Sequence, residues 1–193
     1  MKHGKIFFIV LLFFSLMSGC EPRKFRVDLT HAALQGKAGA PIEIVVFSDF
    51  ECIFCKRAAA ELRRIHKTKP NRVKIYYKYF PLSRHKNAFN AARAAESAAL
   101  QGKFWEMHDL LFAHSKELDN TIYVKLAKKI GLDTARFETD MWSKEVKERI
   151  VKDKTEALNL GVSSTPFFII NRMPFRYSYA DLEQRINGMD GYR

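Results

Sequence analysis

Hydrophobic and polar residues alternate with different periods along the chain, and each change of period marks an element. Ile6 to Leu16 is an almost unbroken apolar run behind a basic start of Lys2, His3 and Lys5. It is too short to span a bilayer comfortably, so residues 1–19 read as an export signal. Ile42 to Phe47 is a continuous apolar run broken only by Glu43, the pattern of a strand covered on both faces. Ala58, Ala59, Leu62 and Ile65 then recur at the spacing of one buried helix face, and Lys69-Pro70 ends that helix. From Arg72 to Phe80 the period drops to two. Val73, Ile75, Tyr77 and Tyr79 alternate with Arg72, Lys74, Tyr76 and Lys78, which predicts a half-exposed strand. Strand, helix, strand with no hairpin turn between them predicts a right-handed crossover and parallel neighbours.

A long helical insert follows. Asn87 to Gln101 is alanine-rich, and Gly102 separates it from Phe104 to Phe112. Thr121 to Ile130 ends at Gly131, a helix C-terminal signal. A last helix starts near Ser143, carries Val146, Ile150, Ala157 and Leu160 on one face, and stops at Gly161. The Trp, Met and Phe residues here read as core rather than as cofactor contacts. Phe167 to Ile170 is a strand turned by Asn171 and Arg172, Met173 to Tyr177 returns antiparallel, and Tyr179 to Ile186 closes as a helix. Glu21 to Gly39 mixes charge, glycine and short apolar pieces, and reads as a tether with one turn of helix. The expected organisation is a signal peptide at 1–19, a tether at 20–40 and a βαβ part at 41–82. A helical insert at 83–160 and a ββα part at 161–193 complete one α/β domain.

The formal charge is +12, carried by scattered lysines and arginines without a compact run. That distribution reads as a solubilising surface, and export argues against a nucleic-acid partner. Cysteine placement adds more. Leu16-Met17-Ser18-Gly19-Cys20 resembles a bacterial lipobox, departing from it at Met17, so Cys20 is the expected lipidation site. Acylating Cys20 would leave Cys52 and Cys55 as an even pair, as an oxidising compartment favours. The expected location is the bacterial cell envelope, on the periplasmic side, anchored to the membrane through Cys20.

Cys52 and Cys55 stand three apart where the apolar strand gives way to the first helix, so both lie on one side of its first turn. Unpaired N–H groups and the positive end of the helix dipole there favour a thiolate at Cys52. Lys56 and Arg57 add positive charge and Glu51 opposes it. A reactive Cys52 and a more protected Cys55 are expected. A Cys-x-x-Cys ring closes too small a loop to be a good staple, and the chain has ample core without it, so chemistry is the better reading. Two thiolates could instead hold copper(I) or half a zinc site in a non-catalytic metal- or thiol-binding lipoprotein. Against that, the six histidines (His3, His31, His66, His85, His108, His114) show no ligand spacing with the cysteines. His66 and His108 fall within helices as surface or core residues.

Three segments together resemble the DsbA-like, thioredoxin-fold family: Phe47 to Arg57 its active-site segment, Gly102 to Phe112 its helical signature, and Leu160 to Phe168 its proline loop. The resemblance covers about Pro41 to Ile186. It implies a thioredoxin fold, a central mixed β-sheet flanked by helices, with an inserted helical domain. It implies a protein thiol–disulfide oxidoreductase whose redox-active centre is the Cys52–Cys55 disulfide, with no metal or other cofactor. Cys52 would attack and Cys55 resolve. Pro166 would be cis beside the disulfide, and Thr165, Pro166 and Phe54 would bind substrate, Thr165 through its backbone by strand addition. Exported cysteine-containing proteins are the implied substrates, oxidised and then released, with a membrane redox partner for recycling. A reductase or isomerase using the dithiol form is the alternative, and the short tether implies a monomer. Two positions depart from the family: Ile53 and Phe54 fill the motif where many relatives carry Pro then His, Phe or Tyr. Val46 stands where thioredoxins place a buried acid. The proton acceptor for Cys55 must then come from elsewhere, with Glu43 or water as candidates.

Overall fold

The computed structural model describes residues 24–177 and 181–189. The expected signal at 1–19 and Cys20 lie outside the described residues. Five strands form one sheet in the order β1-β3-β2-β4-β5: β1 is Ala33–Gly36, β2 Ile42–Ser48, β3 Val73–Tyr79, β4 Phe167–Ile170 and β5 Met173–Phe175. β2 and β3 are parallel, as the crossover requires, and the other three pairings are antiparallel. α1 (Ile53–Thr68) makes the crossover. Between β3 and β4 run α2 (Ala88–Ala99), α3 (Phe104–Ala113), α4 (Asn120–Lys129), α5 (Thr134–Trp142) and α6 (Lys144–Asn159), and α7 (Asp181–Gly188) follows β5. Asp119, Asp133 and Ser143 start α4, α5 and α6 by accepting hydrogen bonds from backbone N–H groups of the first turn.

Strand alternation divides the core in two. Ile42, Ile44 and Val46 join Val73, Ile75, Tyr77 and Tyr79 on one face, against α1 and the aromatic side chains of α3. Val45, Phe47 and Ile169 face the other way, onto Ala157 of α6 and the apolar residues Phe25, Val27 and Leu29. Asn171 and Arg172 make the β4–β5 turn with positive φ, and Asn171 ties it to Glu43 through both backbone and side chain.

Two expectations change. The stretch read as tether contains β1, an edge strand rather than a helical turn. Gly36 sits at φ +98°, and a Cβ there would come within 2.5 Å of the Val73 carbonyl oxygen, so only glycine lets this edge approach β3. β3 is not half-exposed along its length, because Lys78 is fully buried. Its Nζ pairs with Asp153 and, at 2.9 Å, with Glu156, both from α6, and donates to the Asp28 carbonyl at 2.7 Å. Asp153 also receives Arg149 and the Tyr79 N–H, so the buried charges are paired and hydrogen-bonded as burial demands. α5 had no expectation of its own, and its start rests on the Asp133 cap.

Candidate functional site

The site begins where β2 ends. Asp49 is fully buried, and its carboxylate accepts hydrogen bonds from the backbone N–H of Glu51 (2.8 Å) and of Leu82 (2.7 Å), with His85 Nδ1 2.9 Å away. Its carbonyl accepts from the Cys52 N–H. One acid thus fixes the turn before α1 to the loop after β3. Glu51, beside Cys52 in sequence, turns its carboxylate to the Asn87 N–H at 2.6 Å and to the Asn87 amide. Its charge therefore serves the start of α2, where unpaired N–H groups favour it.

Cys52 is the N-cap of α1, with extended backbone and its sulfur 3.5 Å from the Thr165 carbonyl oxygen. Its thiol is lowered from the ordinary 9.0 to about 5. The largest cause is a hydrogen bond from the Cys55 thiol. Thr165 and the N–H groups of Cys55 and Phe54 add to it and outweigh burial. Cys55 lies one turn deeper, 1% exposed, and its thiol is pushed well above the ordinary value. Burial is the main cause and the Cys52 sulfur the next, with the Ser48 hydroxyl opposing both. The two sulfurs are unbonded. Lys56 does not act on Cys52 as expected, because its Nζ reaches the Ala113 carbonyl and Ser115 hydroxyl, each at 3.3 Å.

Thr165-Pro166 is a cis peptide bond, as the resemblance implied. β4 pairs with β2 only from Phe167 onward, so residues 163–166 run past the end of the ladder. They form one wall of a groove of about 550 Å³ with Phe54, Phe175 and Tyr177. Phe54 and Ile53 are each about half exposed beside Cys52, unusual for large apolar side chains. The structure therefore gathers Cys52, Cys55, Phe54, Thr165 and Pro166 in one place. Among the described residues, no group of three or more His, Cys, Asp or Glu is placed to hold a metal.

Glu43 does not serve Cys55. It lies at the opposite end of β2 and pairs with Lys74 at 3.3 Å. The polar groups around Cys55 are instead the Ser48 and Thr165 hydroxyls and, beyond Ser48, the Tyr77 hydroxyl. Sequence reasoning missed Ser48, Asp49, Tyr77 and His85. For Ser48 and Asp49 a signal existed, since two polar residues close an apolar strand just before the cysteines.

The arrangement suits thiol–disulfide exchange, and the comparisons agree. A family model described as Thioredoxin matches residues 29–187. A thioredoxin-like oxidoreductase from Silicibacter pomeroyi DSS-3 is 28% identical, with a TM-score of 0.74, covering 84% of this chain and 94% of that one. The thiol-disulfide exchange protein alpha-DsbA2 from Wolbachia pipientis shares the fold at 21% identity and TM-score 0.74, covering 84% and 88%. The Na(+)/H(+) antiporter NhaA 1 of Mycolicibacterium vanbaalenii is 36% identical over 141 residues, which is 72% of this chain but 23% of that protein. This chain spans about a quarter of the length of the curated relatives it matches. The family match runs from before β1 to the last turn of α7, and on that extent this chain belongs to the thioredoxin family.

Proposed function

We propose that the protein is a cell-envelope thiol–disulfide oxidoreductase that oxidises cysteine pairs in exported proteins. The observation that carries this reading is the contrast at the start of α1: a Cys52 sulfur held as thiolate at neutral pH beside a buried, protonated Cys55. A stabilised Cys52 thiolate favours the dithiol form, which makes the Cys52–Cys55 disulfide a willing donor. In the exchange, a substrate thiolate attacks the Cys52 sulfur of the disulfide, the Cys52–Cys55 bond breaks, and Cys55 leaves and takes up a proton. A second substrate thiolate then attacks the first substrate sulfur, forming the substrate disulfide and releasing Cys52, whose low pKa makes it a good leaving group.

The groove supports a protein substrate. Residues 163–166 lie beyond the sheet ladder, where an extended peptide would add as a strand at Thr165, with Pro166 and Phe54 bounding its path. A membrane redox partner would restore the disulfide. Export through residues 1–19 and lipidation at Cys20 belong to the same reading, and they rest on the sequence pattern. The relatives named as antiporters, membrane proteins by that activity, support an envelope setting because a segment similar to this chain occurs within them. Their transport activity is not carried over from so partial a match.

The test is the reduction potential of the pair, by equilibration with glutathione and trapping of free thiols. A value near the roughly −120 mV of DsbA is expected. One near the roughly −270 mV of thioredoxin would sink the oxidase and make the dithiol the working form, in a reductase or isomerase.

A further inference from the structure

Behind Cys55 lies a cavity of about 20 Å³, room for one water. Its inner wall holds Cys55, Ser48 and Tyr77, and its outer wall His108, Asp109 and Arg63. The apolar Val46 also lines it and offers no group for a proton. The Tyr77 hydroxyl is buried and makes no hydrogen bond of ordinary length among the described residues, although it faces Ser48. The His108 ring packs edge-on against Tyr77, with 5.3 Å between centroids. His108 is buried among Phe50, Phe104, Trp105 and Phe112, yet its Nδ1 lies 3.0 Å from Asp109 Oδ1. Asp109 in turn meets Arg63 at 2.6 Å, and this pair is about half exposed, so the cavity's outer end reaches solvent.

A buried histidine in an aromatic cage needs no carboxylate to pack. The line from Arg63 through Asp109 to His108 ends at the cavity that Cys55 lines, and His108 and Asp109 are the bases among the residues lining it. We propose that His108 is the proton acceptor for Cys55, reached through this cavity past Ser48 and Tyr77, with Asp109 as the positioning residue that fixes the imidazole. The inference rests on the oxidoreductase reading above.

The protonation states fit. Burial holds His108 below its ordinary value, so the imidazole is neutral at pH 7. An Nδ1–H donated to the Asp109 carboxylate leaves Nε2 as the lone-pair nitrogen. Burial pushes Asp109 up, but His108 and Arg63 together bring it below the usual carboxylate range, so it is present as the anion. Two of the causes that raise Cys55 come from Cys52 itself. Both vanish once Cys52 is tied into a mixed disulfide, which leaves only burial for the base to overcome.

In the resolving direction, Cys55 loses its proton to His108 and attacks the Cys52 sulfur. The Cys52–Cys55 bond forms, the bond to the substrate breaks, and the substrate leaves as thiolate. In the oxidising direction His108 returns the proton to the departing Cys55 sulfur. No further oxidant or reductant enters either step.

The experiment is reaction of the reduced full chain with 5,5′-dithiobis(2-nitrobenzoate) in stopped flow across pH 4.5–9. Cys52 releases one thionitrobenzoate on forming the mixed disulfide, and Cys55 releases a second on resolving it. For His108→Gln the first release is expected at the wild-type rate and the second slowed about 10²-fold, as for loss of a general base. The wild-type second step should also level off above the histidine pKa, while the variant's keeps rising with pH. The groups facing His108 are Asp109 on its own helix, Arg63 and Cys55 on α1, and Tyr77 on β3. Asp109 is lowered and Cys55 and Tyr77 are raised, so these three do not share the expected inflection. Should His108→Gln fail to fold, Asp109→Asn serves instead, since that side chain is about half exposed, and it should slow the second release without the first. A second release at the wild-type rate with an unchanged pH profile in either folded variant would overturn the proton route and leave the redox reading standing. A wild-type protein that releases one equivalent or none would overturn the redox reading itself.

Discussion

Cys52 and Cys55 are three residues apart in sequence, but they belong to different regions of the molecule. The Cys52 region is the rim: the helix N-cap, where N–H groups reach the sulfur, the Thr165 carbonyl that accepts from its thiol, and a groove open to a partner. The Cys55 region is the edge of the core, where Val46, Ala58 and Tyr77 line the same cavity as the second sulfur and the Ser48 and Thr165 hydroxyls soften its burial. One turn of helix, about 5 Å of rise, is enough to send the two thiols to opposite sides of their ordinary value. A Cys-x-x-Cys at a helix start is therefore an asymmetric device. The shallower sulfur meets the substrate, and the deeper one is kept out of reach until a disulfide forms at its neighbour.

The sharpest way to break that comparison is to remove each sulfur in turn. Cys52→Ser should abolish exchange with a cysteine-containing peptide altogether. Cys55→Ser should still react but accumulate a stable mixed disulfide, detectable as one peptide bound per protein by intact mass. It should also raise the Cys52 thiol, since the Cys55 thiol is the largest single influence lowering it. Equal trapping by both single variants would mean that either sulfur can attack, and the rim and core roles would dissolve.

A smaller effect lies in stability. The Cys52 thiol sits near 9.0 in the unfolded chain and at about 5 in the fold, so the folded state binds fewer protons between those values. A folded pKa below the unfolded one contributes stability that is full above pH 9 and lost as pH falls towards 5. Cys55, raised well above 9.0, does not titrate in this window. The disulfide form has neither thiol. The reduced protein should therefore melt above the oxidised one at pH 7, with the gap shrinking by about 2 kcal/mol between pH 7 and pH 5. A gap that stays constant over that range would mean Cys52 is not ionised in the fold.

How far the site was legible from sequence follows the same division. The rim was readable because its parts are local: an apolar strand, a polar turn and two cysteines at a helix start, within the one stretch from Val45 to Arg57. Thr165 and Pro166 joined it through the resemblance, since nothing in their own neighbourhood points at residues more than a hundred positions earlier. Beyond Ser48, which closes that same stretch of strand, the core side was not readable, because Tyr77 and His108 meet it only when β2, β3 and α3 pack together. Lys78 shows the limit most plainly. Its position in a period-2 strand predicted exposure, but whether that face meets water depends on Asp153 and Glu156, which α6 brings from far along the chain. β1 failed for a related reason. Four residues with weak pattern become a strand because β3 has an open edge for them to pair with.

The least of the expected effects sharpens the outer boundary of the rim. Phe54 is half exposed, sits between the two sulfurs in sequence and borders the groove beside Pro166. An apolar ring kept at the surface loses solvation energy that a bound peptide would recover, which gives it a use in binding rather than in folding. Phe54→Ala should raise KM for a cysteine-containing peptide about fivefold, roughly 1 kcal/mol, with kcat little changed. Only the backbone N–H of residue 54 reaches the Cys52 sulfur, and alanine keeps that N–H, so the Cys52 midpoint near 5 should stay where it is. A shift of that midpoint with no change in KM would place Phe54 with the thiolate rather than with the substrate, and the rim would then end at the sulfur itself.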